Sequence, residues 1–223
     1  KQQSPDSLAW SELHAISLGH LGRVLGEAGN ASDGEDRLTE AIDRLTELAA
    51  NSPEIPAFQS DLAWMRFHRG SLRHGIEAAS SHGDFEQSRR LWNVLIDRFP
   101  GSELRTGFAE LLLLCPDEDF HDADQARDIL QPVVADQSQP ASGRIWQQLA
   151  LSFARLDRID AGLDALSNGT RITGTETAAD LFIRAKLLTS RDASAARTSY
   201  ERACTMQQQQ VPQHPRTARL RAE

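Results

Sequence analysis

A helical pattern that recurs five times constrains the fold of this chain more than any other sequence feature. Each copy places a small residue among larger residues at helical spacing, as Phe85, Ser88, Trp92 and Leu95 do. Residues at i, i+3, i+7 and i+10 lie on one face of an α-helix, and a small residue there lets another helix approach closely. The five small residues, called anchors below, are Gly34, Ser88, Ala126, Gly162 and Ala196.

The spacing of the anchors indicates a repeat protein. Successive anchors are 54, 38, 36 and 34 residues apart, and a period of about 34 residues is typical of helical-hairpin solenoids. The sequence therefore predicts an all-α fold, a right-handed superhelical array of about five helix-turn-helix repeats. We interpret 1–223 as a single domain. Its predicted repeats are 8–52, 57–100, 102–136, 142–170 and 176–206, and the start of a terminal capping helix is predicted at 212–223.

Each anchor helix should pack against a preceding partner helix that carries its own apolar stripe. The partner stripes in the first, second and fourth copies are Leu18, Leu21, Gly22 and Leu25; Leu72, Gly75, Ile76 and Ala79; and Trp146, Leu149, Ala150 and Phe153. In the fifth copy, Arg184 stands where a small residue belongs. We expect this helix to pack more loosely, or its arginine to extend to the rim.

Two helix boundaries are predicted from capping residues and proline. Gly83 can take the left-handed conformation that ends a helix, and Asp84 with Gln87 has the form of a capping box. We therefore expect a helix that begins at Asp84. It should stop before Pro100, because proline lacks the backbone donor that continues a helix.

These stripes resemble the tetratricopeptide repeat (TPR), whose first helix carries a W..LG..Y stripe and whose second carries A...F..A, often followed by proline. The strings that match best are "WQQLALSF" with "AGLDALSNG", and "HGDFEQSRRLW" with Pro100. The resemblance covers about Leu18 to Ala203. It implies noncatalytic binding of a peptide or partner protein in a concave groove lined by the first helices.

A narrower resemblance is to the TPR arrays that follow the kinase domain in planctomycete-type bacterial serine/threonine protein kinases. It is carried by the strings "LAANSPEIPAFQSDLA", "LLLLCPDEDFHDADQARDIL" and "HPRTARLRAE". It implies a fragment of a larger bacterial signalling protein, with the regulatory C-terminal region of such a kinase as the alternative. The sequence contains no glycine-rich phosphate loop and no H-R-D or D-F-G motif, so the chain itself is predicted not to be an enzyme.

No metal or cofactor site is predicted from the residues. The acidic cluster from Asp117 to Asp124 lacks the glycine and the closing glutamate of an EF-hand. We favour a loop in which Asp122 and Gln125 cap the next helix, rather than a calcium site. Cys115 and Cys204 match neither a disulfide framework nor a metal site, and we expect both to be buried and reduced.

Charge and hydropathy limit the partners and the location. With 32 acidic and 24 basic residues, the net charge of −8 argues against binding to nucleic acid or to an anionic membrane surface. No apolar run approaches the length of about 18 residues that spans a bilayer. Cytoplasmic location is the default expectation, and a membrane span before Lys1 would place the array outside the membrane instead.

Candidate partner-binding residues follow from the position of each residue in the repeat. Those expected to face the groove are Arg73, Glu77, Thr106, Glu110, Arg144, Gln147, Leu151 and Arg155. Arg66, Arg69 and Arg73 also form a cationic stripe, which suggests an acidic or carboxylate-ended peptide because guanidinium groups pair with carboxylates. The alternative, which we favour, is a solvated helix face. Self-association through the ends of the array is a third hypothesis.

Overall fold

The structure, a computed structural model, describes residues 5–99, 101–136 and 141–210. These residues form ten α-helices and one short 3₁₀ helix at Glu118–Phe120, and none of them lies in a β-strand. The helices are α1 (Pro5–Glu27), α2 (Ala31–Asn51), α3 (Pro56–His74), α4 (Ala78–Arg98), α5 (Ser102–Leu114), α6 (Ala123–Ala135), α7 (Gly143–Arg155), α8 (Ile159–Thr173), α9 (Ala178–Leu188) and α10 (Ala193–Gln210). The predicted capping helix at 212–223 lies outside the described residues.

The chain divides into two compact units, Lys1–Ile129 and Leu130–Glu223, with the boundary inside α6. In the first unit α1 packs on α2, α2 on α3 and α3 on α4. In the second unit α7 packs on α8, and α9 packs on α7, α8 and α10. Each unit therefore consists of helices packed mainly against their neighbours in sequence, as expected for helical repeats. The interpretation of 1–223 as a single domain stays a prediction.

All five anchors are buried, and three of them show how closely neighbouring helices pack there. A Cβ atom on Gly34 would lie 2.7 Å from the carbonyl oxygen of Gly22, so α1 and α2 cross almost backbone to backbone. A Cβ atom on Gly162 would lie 2.5 Å from a methyl group of Leu187. The Ser88 hydroxyl, wholly buried, donates to the Ala63 carbonyl at 2.8 Å and links α4 to α3.

The predicted start of α4 at Asp84 is wrong. The helix begins at Ala78 and runs through Gly83 and Asp84 to Arg98, so only its end before Pro100 is confirmed. Asp84 caps nothing, because its carboxylate is buried and accepts hydrogen bonds from α3. Glu77 is extended at the N-terminus of the helix, and the Ser81 hydroxyl donates to Ala78 O at 2.6 Å in the first turn.

Two partner stripes also need correction. Leu21 on α1 is 48% exposed, so only part of the first stripe faces the core. In the second copy the predicted stripe crosses a helix end: α3 stops at His74, and Ile76 is 64% exposed in the turn that follows. Leu72 of this stripe does pack against the core, together with the earlier α3 residues Leu62 and Met65.

The remaining local expectations concern the cysteines and Arg184. Cys115 is buried as predicted, and burial raises the pKa of its thiol to about 11. Cys204 is only half-buried, which corrects the expectation for that residue. Arg184 reaches Glu176 at 2.6 Å at the edge of α9, while Leu181 and Leu187 of the same helix are almost fully buried. The arginine therefore extends outward and the helix keeps an apolar contact face.

Candidate functional site

The cationic stripe on α3 is engaged with two carboxylates within the first unit. Arg69 contacts Asp84 in a bidentate manner: Nη2 donates to Oδ1 at 2.7 Å and Nε donates to Oδ2 at 2.9 Å. Arg73 donates to the same carboxylate at 3.0 Å and to Glu35 Oε1 at 2.6 Å. The Asp84 side chain is only 3% exposed. These ion pairs join α2, α3 and α4.

Arg66 is the member of the stripe with the weakest acidic contact. Its Nη1 lies 3.8 Å from Asp84 Oδ1, beyond hydrogen-bond distance, and its side chain is 17% exposed. Burial lowers the pKa of Arg66, and the positive charge of Arg69 adds to this effect. Three guanidinium groups thus lie around Asp84, and the negative charge of Asp43 also acts on Arg66.

The other predicted site residues of the first unit lie just before α4 and on α5. Glu77 is exposed in the turn before α4. Thr106 and Glu110 are half-buried on α5, where the Thr106 hydroxyl donates to Ser102 O at 2.7 Å. This hydrogen bond within the helix gives the hydroxyl an acceptor even when no partner protein is bound.

The predicted site residues of the second unit all lie on α7. Arg144 is exposed, and Leu151 and Arg155 are half-buried. The Gln147 amide donates to Thr177 Oγ1 and to Asp180 Oδ1, both at 3.0 Å. Thr177 and Asp180 form the capping box of α9, so Gln147 ties the start of α9 to α7.

Where α1 meets α3, two ionisable side chains that sequence analysis did not select are strongly perturbed. Burial raises the pKa of the Asp61 carboxyl to about 6, and the negative charge of Glu12 on α1 adds to the rise. Burial lowers the pKa of His68 to about 4, assisted by the positive charge of Arg23 on α1. Asp61 and His68 are seven residues apart, so they lie on the same side of α3. The spacing could have shown from the sequence that the two side chains share one side of the helix, but it could not show that they are buried.

A cleft of about 340 Å³ opens beside His68 in the first unit. Its apolar lining includes the half-buried Leu72, with the fully buried Leu38 beneath the cleft, and Arg23 and Glu27 form an exposed ion pair at its edge. Burial keeps the pKa of His68 near 4, so its imidazole is neutral at pH 7. The cleft therefore combines an apolar floor, one neutral hydrogen-bonding ring and a charged rim.

Two residues of the acidic cluster, Asp117 and Asp122, cap helices. Asp122 Oδ1 accepts from Gln125 N at 2.9 Å at the start of α6, as predicted for Asp122, whereas the Gln125 side chain accepts from Arg89 at 3.3 Å and Asp122 N donates to Leu112 O. Asp117 Oδ1 accepts from Asp119 N at 3.1 Å and caps the 3₁₀ helix. Within the described ranges, one group of side chains has ligand atoms close enough to share a metal ion, namely His82, Asp117 and Asp119. His82 and Asp119 are exposed, and His82 contacts the Asp117 carboxylate at 3.3 Å.

Comparison with solved structures finds helical-repeat proteins. TTC0263, a thermophilic TPR protein from Thermus thermophilus, superposes with a TM-score of 0.56 at 16% identity, covering 93% of this chain and 96% of that one. MamA (41-end) from Desulfovibrio magneticus RS-1 gives a TM-score of 0.56 at 15% identity, covering 89% of this chain and 97% of that one. No family model matches the sequence, and no curated protein matches it either.

These likenesses establish the fold. The chain has the all-α helical-repeat fold of TPR proteins, as its sequence pattern predicts. The narrower resemblance to kinase-associated arrays stays a prediction. Across the described parts of the chain, every helix is too short or too polar to cross a membrane.

Proposed function

We propose that this chain is a noncatalytic protein-binding module, and that the cleft beside α1 and α3 receives an apolar side chain of a peptide or partner protein. The observation that carries the proposal is the composition of the cleft, with the half-buried Leu72 in its lining and polar groups at its edge. Binding sites commonly combine an apolar surface with a few polar groups that fix orientation. The TPR fold supports this role, because helical repeats present extended surfaces to partners.

The ionisable groups near the cleft suit binding better than catalysis. His68 is neutral at pH 7, so it can donate or accept a hydrogen bond without the cost of burying a charge. Arg23 and Glu27 already pair with each other, so the rim holds charges of both signs. A partner that places an apolar side chain on Leu72 and polar groups near the rim matches this pattern.

Filling the cleft tests the proposal. Peptides selected from a random display library on the wild-type chain should lose at least tenfold in affinity for Gly75→Trp, measured by fluorescence anisotropy. Gly75 lines the cleft in a right-handed conformation, and a Cβ atom there meets nothing closer than 3.5 Å, so the fold should accept the substitution. Gly83→Trp is the matched control, because a Cβ atom on Gly83 meets nothing within 4 Å. Equal affinity for both variants would refute the assignment.

A second candidate, an acidic partner, is favoured by the position of Arg66, whose Nη1 lies 3.8 Å from Asp84 Oδ1, beyond hydrogen-bond distance. We infer that Arg66 contributes to acid recognition more than Arg69 or Arg73, which are committed to Asp84 and Glu35. Arg66→Gln should weaken binding of acidic peptides, whereas Arg90→Gln should not, since Arg90 is a 73% exposed surface residue. Unchanged binding by Arg66→Gln would remove this candidate.

The same proposal extends to the first helices α5 and α7. The further residues proposed to contact a partner are Thr106 and Glu110 on α5 and Arg144, Leu151 and Arg155 on α7.

The kinase alternative is supported by three sequence strings alone. A kinase domain encoded in the same reading frame would support it, and a reading frame without one would exclude it.

A further inference from the structure

Helix α1 carries apolar side chains on two opposite sides. One side packs into the core through Ala15 and Gly22. The other side carries four large apolar residues that are about half exposed or more: Trp10 at 71%, Leu13 at 52%, Leu21 at 48% and Val24 at 51%. We call these four residues the α1 stripe. A helix that is apolar on both sides is typical of one that is covered on both sides.

The spacing of the α1 stripe is symmetric about Ser17. Trp10 lies seven residues before Ser17 and Val24 seven residues after it, while Leu13 lies four before and Leu21 four after. All five residues fall within one narrow sector of the helix surface. When two such helices pair antiparallel with their Ser17 residues facing each other, Trp10 meets Val24 of the second copy and Leu13 meets Leu21. Each contact then occurs twice.

Ser17 is suited to the centre of such a pair. Its side chain is small, which lets two helix backbones approach closely. Its hydroxyl donates to Leu13 O at 2.7 Å within its own helix, so burying it leaves no hydroxyl without a partner. The α1 stripe contains no acidic or basic residue, so pairing two copies brings no like charges together along its centre, even though the chain has a net charge of −8.

We propose that the α1 stripe is a self-association surface, on which a second copy of this chain packs its own α1 in the antiparallel direction about Ser17. A second copy necessarily carries the reversed stripe, whereas an unrelated helix would have to match it residue by residue. The four side chains expose on the order of 400 Å² per copy, so the pair buries roughly 800 Å² from the stripe alone. That area corresponds to a weak, concentration-dependent dimer.

Analytical ultracentrifugation of the full chain tests for the dimer. The wild-type protein should move from monomer towards twice the monomer mass between low micromolar and several hundred micromolar concentrations. Leu21→Glu should remain monomeric throughout, because it places a charge in the stripe of each copy. Val94→Glu is the matched control, since Val94 is a 56% exposed apolar residue on α4. Trp10→Ser provides a second disruptive variant, and circular dichroism confirms that each variant is folded.

Cysteine crosslinking tests the geometry. In a Cys204→Ser background, Ser17→Cys should form a disulfide-linked dimer on mild oxidation, because two facing residues at the symmetry centre come within disulfide distance. Ala28→Cys preserves the whole α1 stripe but places the two cysteines roughly 30 Å apart in the antiparallel pair, so it should stay uncrosslinked.

Three results would overturn the proposal: a wild-type chain that is monomeric at every concentration, a dimer that survives Leu21→Glu, or equal crosslinking of Ser17→Cys and Ala28→Cys. Vesicles of phosphatidylcholine and phosphatidylglycerol provide a further arm. A monomeric chain that sediments with them through the α1 stripe would assign the stripe to a lipid surface instead.

Discussion

At the scale of single residues, Asp84 joins α3 and α4 in the first unit, although the repeat pattern does not select it. Its carboxylate is almost inaccessible to water and accepts from Arg69 and Arg73 on the neighbouring helix. A buried carboxylate is tolerated only when it is paired and hydrogen-bonded, and the same requirement holds for a buried guanidinium group. Removing either side therefore leaves an uncompensated buried charge.

We expect Asp84→Ala to lower the free energy of unfolding by about 3–5 kcal/mol, because it leaves Arg69 and Arg73 without their shared acceptor. Asp124→Ala should cost less than about 1 kcal/mol, since Asp124 pairs with Arg127 while itself 65% exposed. Urea denaturation followed by circular dichroism measures both. Similar losses for the two variants would contradict the role assigned to Asp84.

Asp61 and His68 are predicted to shift stability with pH in opposite directions. The folded-state pKa of Asp61 is raised from 3.8 to about 6, so the folded state binds its proton more tightly and stability falls as pH rises between these values. The folded-state pKa of His68 is lowered from 6.5 to about 4, so stability falls as pH drops through that range. In the wild-type chain the two effects oppose each other.

Single substitutions should separate the two effects. Relative to wild type, Asp61→Asn should be more stable at about pH 7 than at about pH 4.5, because the cost of the buried carboxylate is removed. His68→Gln should show the reverse, with its relative stability greater at about pH 4.5. Urea midpoints at the two pH values provide the measurement. A relative stability that is the same at both values would argue against the perturbed pKa of that residue.

At the scale of helices, the anchors differ in what opposes a larger side chain. At Gly34 the obstacle is the carbonyl oxygen of Gly22 together with the amide nitrogen of Gly26, which are backbone atoms. At Gly162 it is the end of the Leu187 side chain, which can rotate. The anchors therefore share a sequence pattern, but they differ in whether backbone or side-chain atoms oppose a larger residue.

Gly34→Ala should be the more destabilising of two otherwise identical changes. We expect a loss of about 2–3 kcal/mol, because α1 and α2 must move apart to admit the methyl group. Gly162→Ala should stay within about 1 kcal/mol of wild type, since the helix propensity gained by alanine offsets a small adjustment of Leu187. Thermal and urea melts of both variants test this. A large loss of stability in Gly162→Ala, together with no loss in Gly34→Ala, would contradict this prediction.

At the scale of the whole molecule, contacts are concentrated between helices that are neighbours in sequence. In arrays of this kind stability is distributed locally, because each repeat is stabilised mainly by its immediate neighbours. The two compact units, divided at Ile129, are consistent with such local cooperativity.

Hydrogen exchange measured by mass spectrometry should show this locality. Asp84→Ala should increase amide exchange in α3 and α4, which its ion pairs join, and in α2, which Arg73 contacts through Glu35. It should leave α8, α9 and α10 close to wild type. Gly162→Ala is a useful comparison, because any effect should be confined to the second unit. A uniform increase across all helices in Asp84→Ala would show that the chain unfolds as one cooperative block.

The sequence by itself determined the helical-repeat fold and the buried anchors, because the helical period of apolar and small residues is a local property that can be read within one helix. It also identified Asp122 as a cap, since capping links residues three apart. Only the tertiary structure decided the environment of the arginine stripe, the true start of α4 and the presence of the cleft. Arg69 meets a carboxylate 15 residues away and Arg73 meets one 38 residues away, and the packing of helices determines which distant groups come together.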